Sequence, residues 1–171
     1  MPQLDPSAFW GIAGIVAGII VATFFFLLGK KKTLLRCIIS PTSVLTEQMS
    51  GILNDHISID GHPIKSLGET TIMFINSGNQ RIRSSDFSEQ EPLCITLSGH
   101  LYGYDLFPGN RVLLPKIDLV DEKVLNITFE NLKPKQYFYV TILHDGGLYV
   151  SGELTTGDMH QILSRFPIRW R

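Results

Sequence analysis

Five histidines, two cysteines and scattered carboxylates are the residues through which this chain could do acid–base, nucleophilic or metal chemistry. His56, His62, His100, His144 and His160 show no H-x-x-x-H spacing, and no H-E-x-x-H occurs. Cys37 and Cys94 lie in apolar runs (LLRCII and PLCITL), where cysteine serves as a small hydrophobe and where a thiolate lacks a strong cationic partner. His144-Asp145-Gly146-Gly147 reads as a polar turn between two strongly patterned strands. No G-x-S-x-G elbow, phosphate-binding GxxxxGK[ST] or helix-opening GxGxxG is present. Asp121-Glu122 sits in a polar, solvated stretch. These patterns predict no catalysis, no bound metal and no cofactor.

Residues suited to binding are better represented. Gly99–Arg111 (GHLYGYDLFPGNR) gathers aromatics, a histidine and an arginine among glycines. There His100, Tyr102, Tyr104 and Arg111 are candidate ligand contacts, because aromatic faces stack on bases and the cations meet phosphate or carboxylate. Arg81 and Arg83 flank Ile82, so on a strand both guanidinium groups face one side and can clamp an anion. The C-terminal RFPIRWR interleaves arginines with Phe166, Ile168 and Trp170, a composition suited to a lipid headgroup region.

The elements that must position these residues fall into two parts. Residues 9–28 (FWGIAGIVAGIIVATFFFLL) carry no charge, and twenty residues at 1.5 Å each make a helix of about 30 Å, the thickness of a bilayer core. Trp10 on one flank and Lys30, Lys31 and Lys32 on the other are the expected interfacial residues, and the lysines follow the apolar run, unlike those of a cleaved signal peptide. The basic flank predicts a single-pass inner-membrane protein with its N-terminus outside and its domain in the cytoplasm, both thiols reduced and the Asn126-Ile127-Thr128 sequon unused. Gly14, Gly18 and Ala22 form one smooth stripe through which two such helices can self-associate.

The expected organisation is a short outer N-terminus (1–8), the membrane helix (9–28), a basic linker (29–33), a β domain (34–158) and a basic-aromatic tail (159–171). With three lysines and one aspartate set aside in residues 1–32, twelve basic and fifteen acidic residues remain of the chain's 15 and 16. A mildly acidic domain is not built for duplex nucleic acid. Short strands punctuated by Gly, Pro, Asn and Asp are expected at Leu34–Ser40, His56–Asp60, Pro63–Leu67, Thr70–Asn76, Pro92–Ser98, Val112–Leu114, Val124–Phe129, Tyr137–His144 and Leu148–Thr155. Asp60-Gly61 and Asp145-Gly146 are expected hairpin turns and Asn76-Ser77-Gly78-Asn79 a tight reversal, while Met159–Arg165 suits a short helical turn. The fold class is mainly β: an antiparallel β-sandwich, with a small barrel as the alternative.

Thr70–Phe87 (TTIMFINSGNQRIRSSDF) resembles a hairpin of bacterial immunoglobulin-like domains, and Asn131-Leu132-Lys133-Pro134 before Tyr137–Thr141 resembles the corner of fibronectin III-like sandwiches. The resemblance implies sheet geometry and names no ligand; the intersheet cysteine pair with a strand tryptophan is missing. The leading expectation is a membrane-anchored, non-catalytic binding or sensor module. Its partners would be the lipid bilayer, a second helix, and a protein or nucleotide-like small ligand. The alternative is an anti-phage membrane effector whose β domain senses a cyclic oligonucleotide and drives helix oligomerisation and membrane disruption.

Overall fold

The computed structural model describes residues 6–45, 58–59, 62–63, 66–109 and 115–164. The chain divides into two compact units, Met1–Lys31 and Lys32–Arg171.

The first unit holds α1 (Pro6–Gly29), a helix of 24 residues with no acidic residue in its first turn and no basic residue in its last. The membrane span expected over 9–28 is not upheld. Among the described residues no helix is long and apolar enough to cross a membrane. The inner-membrane location, the outward N-terminus and the cytoplasmic domain all rested on that span and fall with it.

In the second unit the strands are β1 (Leu34–Leu45), β2 (Ser58–Ile59), β3 (His62–Pro63), β4 (Leu67–Asn76), β5 (Cys94–Leu97), β6 (Leu101–Pro108), β7 (Lys116–Asp121), β8 (Val124–Thr128), β9 (Tyr137–His144), β10 (Leu148–Ser151) and β11 (Asp158–Leu163). One sheet has the order β11-β1-β4-β9-β6 and a second the order β10-β5-β8-β7, while β2 and β3 pair separately. The two large sheets share one core. Cys37 of β1, Phe74 of β4 and Phe138 of β9 meet Ile95 of β5, Ile127 of β8 and Val150 of β10, and Phe74 stacks on Phe138 at 5.0 Å. The sandwich expectation holds at this level, and the barrel does not, since both sheets are open.

Strict alternation explains why these segments are strands. β9 reads buried at every second residue from Phe138 to His144, and β8 buries Leu125 and Ile127 while Val124 faces outward. Between β4 and β9, Asn76 shapes the NSGN reversal by accepting from the Gly78 N–H at 3.0 Å. That loop grips the first residue of the domain: the Lys32 N–H donates to Asn79 Oδ1 at 2.7 Å, and the Lys32 carbonyl accepts from Asn79 N–H at 2.9 Å. A Cβ at Gly78 would collide with the Lys32 carbonyl, so this close approach requires glycine. The domain therefore begins at Lys32, inside the expected linker.

Three local expectations change. Asp145-Gly146, with Gly146 at φ +76°, is a turn but not a hairpin, because β9 and β10 belong to different sheets. Gly99–Arg111 is mostly strand: β6 pairs with β9 along its length, with Tyr102 as the extra residue of a bulge between Leu101 and Gly103. Residues 158–163 are neither tail nor helical turn. They form β11, which pairs parallel with β1, a departure from the all-antiparallel expectation. For the expected hairpin at Asp60-Gly61, Ile59 pairs with His62, and the two intervening residues lie outside the described ones, as do Val112–Leu114.

Candidate functional site

The expected ligand set does not converge. β4 and β9 run antiparallel with Gly68 opposite His144 and Ile75 opposite Tyr137. His100 and Tyr102 lie at the His144 end, and Arg81 and Arg83 follow Asn76 at the other, ~24 Å away along seven strand residues. Both arginines are exposed on either side of buried Ile82, which bridges to Leu132. The Arg83 N–H is occupied by Asp86 Oδ2 at 2.8 Å, opening the single turn of 3-10 helix at Ser84–Asp86. Arg111 and Trp170 lie outside the described residues.

At the His144 end two intersheet connections are zipped together, Ser98–His100 and Asp145–Gly147. Ser98 N–H donates to the Gly147 carbonyl at 2.9 Å, Gly147 N–H to Ser98 Oγ at 2.6 Å, and Asp145 N–H to the His100 carbonyl at 3.1 Å. The Asp145 carboxylate accepts on both oxygens, Oδ1 from the His100 N–H and Oδ2 from the Tyr102 hydroxyl at 3.0 Å. The bulge aims the Tyr102 ring at this corner, edge-on to His100 at 5.0 Å. Desolvation first, and then the Asp145 carboxylate, push the Tyr102 phenol above its usual range. Buried His144 bonds Thr70 Oγ1 through Nε2 at 2.9 Å. These polar groups are engaged in closing the corner. Tyr104 stands apart on β6, exposed.

Burial pushes the Cys37 thiol up to about 12, so it is not a nucleophile at neutral pH, and Cys94 Sγ lies 3.0 Å from Ser151 Oγ. Among the described residues no group of three or more His, Cys, Asp or Glu side chains could hold a metal ion. In α1, Gly14, Gly18 and Ala22 are exposed, and a Cβ at either glycine would meet nothing within 4 Å. Trp10 and Lys30–Lys32 are exposed as well.

The surface that sequence reasoning missed is the exterior of the five-stranded sheet. The strand registers align Ile162 with Ile38, Ile38 with Met73, Met73 with Tyr139 and Tyr139 with Phe107, one residue from each strand. With strands 4.8 Å apart, this apolar row is ~19 Å wide. Ile75 and Tyr137 widen it on one side, and Tyr137 packs edge-on to Tyr139 at 5.3 Å. Desolvation, and then the adjacent Tyr137, raise the Tyr139 phenol above its usual range. None of these side chains belongs to the intersheet core, and they are half-buried or exposed. Arg36 and His160 border the row on the Ile75 side; Thr71, Thr141 and Asp105 border it on the other. The opposite sheet is different. Its exterior row Ser151, Cys94, Asn126 and Asp118 is polar, and the neighbouring row is mixed, with Tyr149, Thr96 and Val124. A signal was available in YFYVTIL and in the run IMFI (Ile72–Ile75), which are apolar at consecutive positions instead of every second one, the mark of a strand with apolar residues on both faces.

No family model matches this chain, and no curated protein matches it.

Proposed function

We propose that the β domain is a non-catalytic binding module that recognises a protein surface through the exterior of its five-stranded sheet. The observation that carries this reading is the row Ile162–Ile38–Met73–Tyr139–Phe107, apolar across every strand of the sheet. A sheet with one face in water alternates apolar and polar residues, whereas this sheet is apolar along the row on its outer face as well as on its inner one. Its anatomy is that of a protein contact: aromatic and sulfur-bearing side chains at the centre, charged residues at the rim. The domain's other chemistry supports binding over catalysis, since each oxygen of the Asp145 carboxylate accepts a bond that closes the corner, from the His100 N–H and the Tyr102 hydroxyl.

Hydroxyl-radical footprinting tests this, because Met and Tyr side chains oxidise in proportion to their access. Met73 and Tyr139 should be oxidised in dilute purified protein and protected several-fold in intact cells. Equal oxidation in both settings would show the face open in the cell and would remove the reading.

A further inference from the structure

We infer that the open edge of β7 is a contact between two copies of this chain, which pair edge to edge and run the four-stranded sheet of one into that of the other. The contact lies on the other sheet and stands independently of the sheet-face reading. β7 ends the order β10-β5-β8-β7, and among the described residues no strand pairs with its outer side. Every residue of β7 but Ile117 is exposed, Leu119 at 54% and Val120 at 67%. The opposite flank of the sandwich is closed, since the Gln161 amide bonds the Val150 carbonyl and Met159 packs on the core. The ladder shows which groups the open edge presents. The Ile127 N–H donates to the Leu93 carbonyl and the Leu97 N–H to the Lys123 carbonyl, both at 2.9 Å, so Lys123, Leu125 and Ile127 turn their backbone groups to β5. Asn126 and Thr128 therefore bond β7 through Asp118 and Lys116. Ile117 and Leu119, opposite Ile127 and Leu125, are left directing their N–H and C=O groups outwards.

A second β7 can add antiparallel to this edge about a twofold axis perpendicular to the sheet, as an isologous contact requires. Side chains directly opposite must share a face, and that condition puts the axis on a residue of the strand. Lys116 and Asp118 stand on the exterior, whereas Ile117 and Leu119 face inwards beside buried Ile127 and Leu125. An axis at Lys116 or at Asp118 sets like charges directly against each other. One at Leu119 runs the pairing into the bulge at Val120. The axis at Ile117 meets neither obstacle. Ile117 then exchanges two N–H···O bonds with its own mate, and each Leu119 N–H donates to the Pro115 carbonyl of the other copy. Lys116 of each copy lies directly opposite Asp118 of the other, with Cα atoms ~4.5 Å apart, while like charges are diagonal at ~8 Å. Pro115, which lacks an N–H, ends the ladder on one side and the bulge ends it on the other. Asp121, Glu122 and Lys123 lie beyond the bulge, outside the paired stretch. Charge and hydrogen bonding thus select one register out of the four.

Mixed disulfides read the register directly. In a Cys94→Ser background, full chains carrying Lys116→Cys are mixed with full chains carrying Asp118→Cys under mild oxidation. The mixed dimer should exceed either homodimer several-fold, because only the unlike positions come within bonding distance. Sedimentation equilibrium on the full chain gives the strength. Lys116→Glu should weaken association by about tenfold, since it breaks two symmetry-related pairs at once. Lys116→Asp together with Asp118→Lys reverses the pairing and should restore affinity to within about threefold of the native value. Leu119→Pro should also weaken association by about tenfold, yet leave the melting midpoint within about 2 °C, because the N–H it removes serves no bond inside the chain. Homodimer disulfides as abundant as the mixed one would overturn the inference. So would a reversed pair that does not recover, association that none of these substitutions alters, or a chain that stays monomeric to about 500 μM.

Discussion

The side-chain amide of Asn76 donates to the carbonyl of Leu132 at 2.8 Å, joining the end of β4 to the turn that precedes β9 across 56 residues. The same Nδ2 donates to the Gln80 carbonyl at 2.7 Å, Oδ1 accepts from Gly78, and the backbone bonds Gln136 at 3.0 Å and Lys135 at 2.8 Å. One fully buried residue thus closes the NSGN reversal and docks it on the second turn. Replacing Asn76 by Ala removes three side-chain bonds: the Gly78 N–H loses its acceptor, the Gln80 carbonyl loses its donor, and the Leu132 carbonyl keeps only its bond from the Ile82 N–H at 3.0 Å. The expected cost is about 3 kcal/mol. Thermal denaturation should show a midpoint lower by about 10 °C; a change under 2 °C would mean that water replaces the amide.

Lys135 offers the opposite sign. It sits at φ 67°, the left-handed region, in a turn closed by the Gln136 N–H donating to the Lys133 carbonyl at 3.0 Å. Pro134 suits the position before it, and glycine suits the position Lys135 occupies. Its backbone N–H already serves Asn76, and that bond survives substitution. Lys135→Gly should therefore stabilise the domain by roughly 1 kcal/mol, relieving left-handed strain against a small loss of chain entropy. Chemical denaturation should show a higher midpoint with an unchanged slope.

How far these features were legible depends on whether their cause is local. The NSGN reversal, the alternation of Phe138, Val140 and Ile142, and the Pro134 turn all follow from neighbouring residues, and all are found. β6 was obscured because Gly99, Gly103 and Gly109 interrupt its pattern and the bulge at Tyr102 shifts its phase. Asp145-Gly146 announces a turn, but whether the chain returns to β9's own sheet depends on β5, some fifty residues earlier. The apolar row joins residues from position 38 to position 162. It exists only once five registers are set, and no local window contains it. The expected ligand set failed for the same reason: His100 and Arg81 are near in sequence and at opposite ends of a sheet.

At the corner, Asp145 and Tyr102 should behave as a coupled pair. Tyr102→Phe loses one hydroxyl donor to a carboxylate and should cost about 1 kcal/mol, whereas Asp145→Ala also orphans the His100 N–H and should cost about 2 kcal/mol or more. A double-mutant cycle should show that the second change costs less once the first is made, with a coupling of at least about 0.5 kcal/mol. Strict additivity would mean that the 3.0 Å contact contributes nothing to stability.

Cys37 makes a pH prediction with a definite sign. Its thiol is held at about 12 in the fold against an ordinary value of 9.0. Burial disfavours the thiolate, so the folded state holds the proton more tightly than the unfolded one. This contribution is therefore complete below pH 9 and is lost as pH rises from 9 towards 12, at up to about 1.4 kcal/mol per unit. Stability measured against pH should fall across that window and flatten in Cys37→Ala, after correction for the cavity. Thiol reagents at neutral pH should leave Cys37 unlabelled until the domain unfolds. Fast labelling of the native protein at this position would contradict its burial.

Truncation tests whether β11 is a structural strand. β11 pairs parallel with β1 from Leu34–Asp158 to Ile39–Leu163. Met159 packs against the core, Gln161 Nε2 donates to the Val150 carbonyl at 2.6 Å, and the Ser164 N–H donates to the Ile39 carbonyl at 2.7 Å. Gln161 in particular ties the edge of one sheet to the edge of the other, since Val150 belongs to β10. A chain ending at Ser164 keeps every one of these contacts and is the reference for the comparison. A chain ending at Gly157 loses the ladder, exposes Leu35 and Ile39 beside an unpaired edge, and should be destabilised by several kcal/mol, with aggregation on heating. If the shorter chain instead melts like the native one, β11 adds nothing to the sheet, and the boundary drawn from sequence at residue 158 is the correct one.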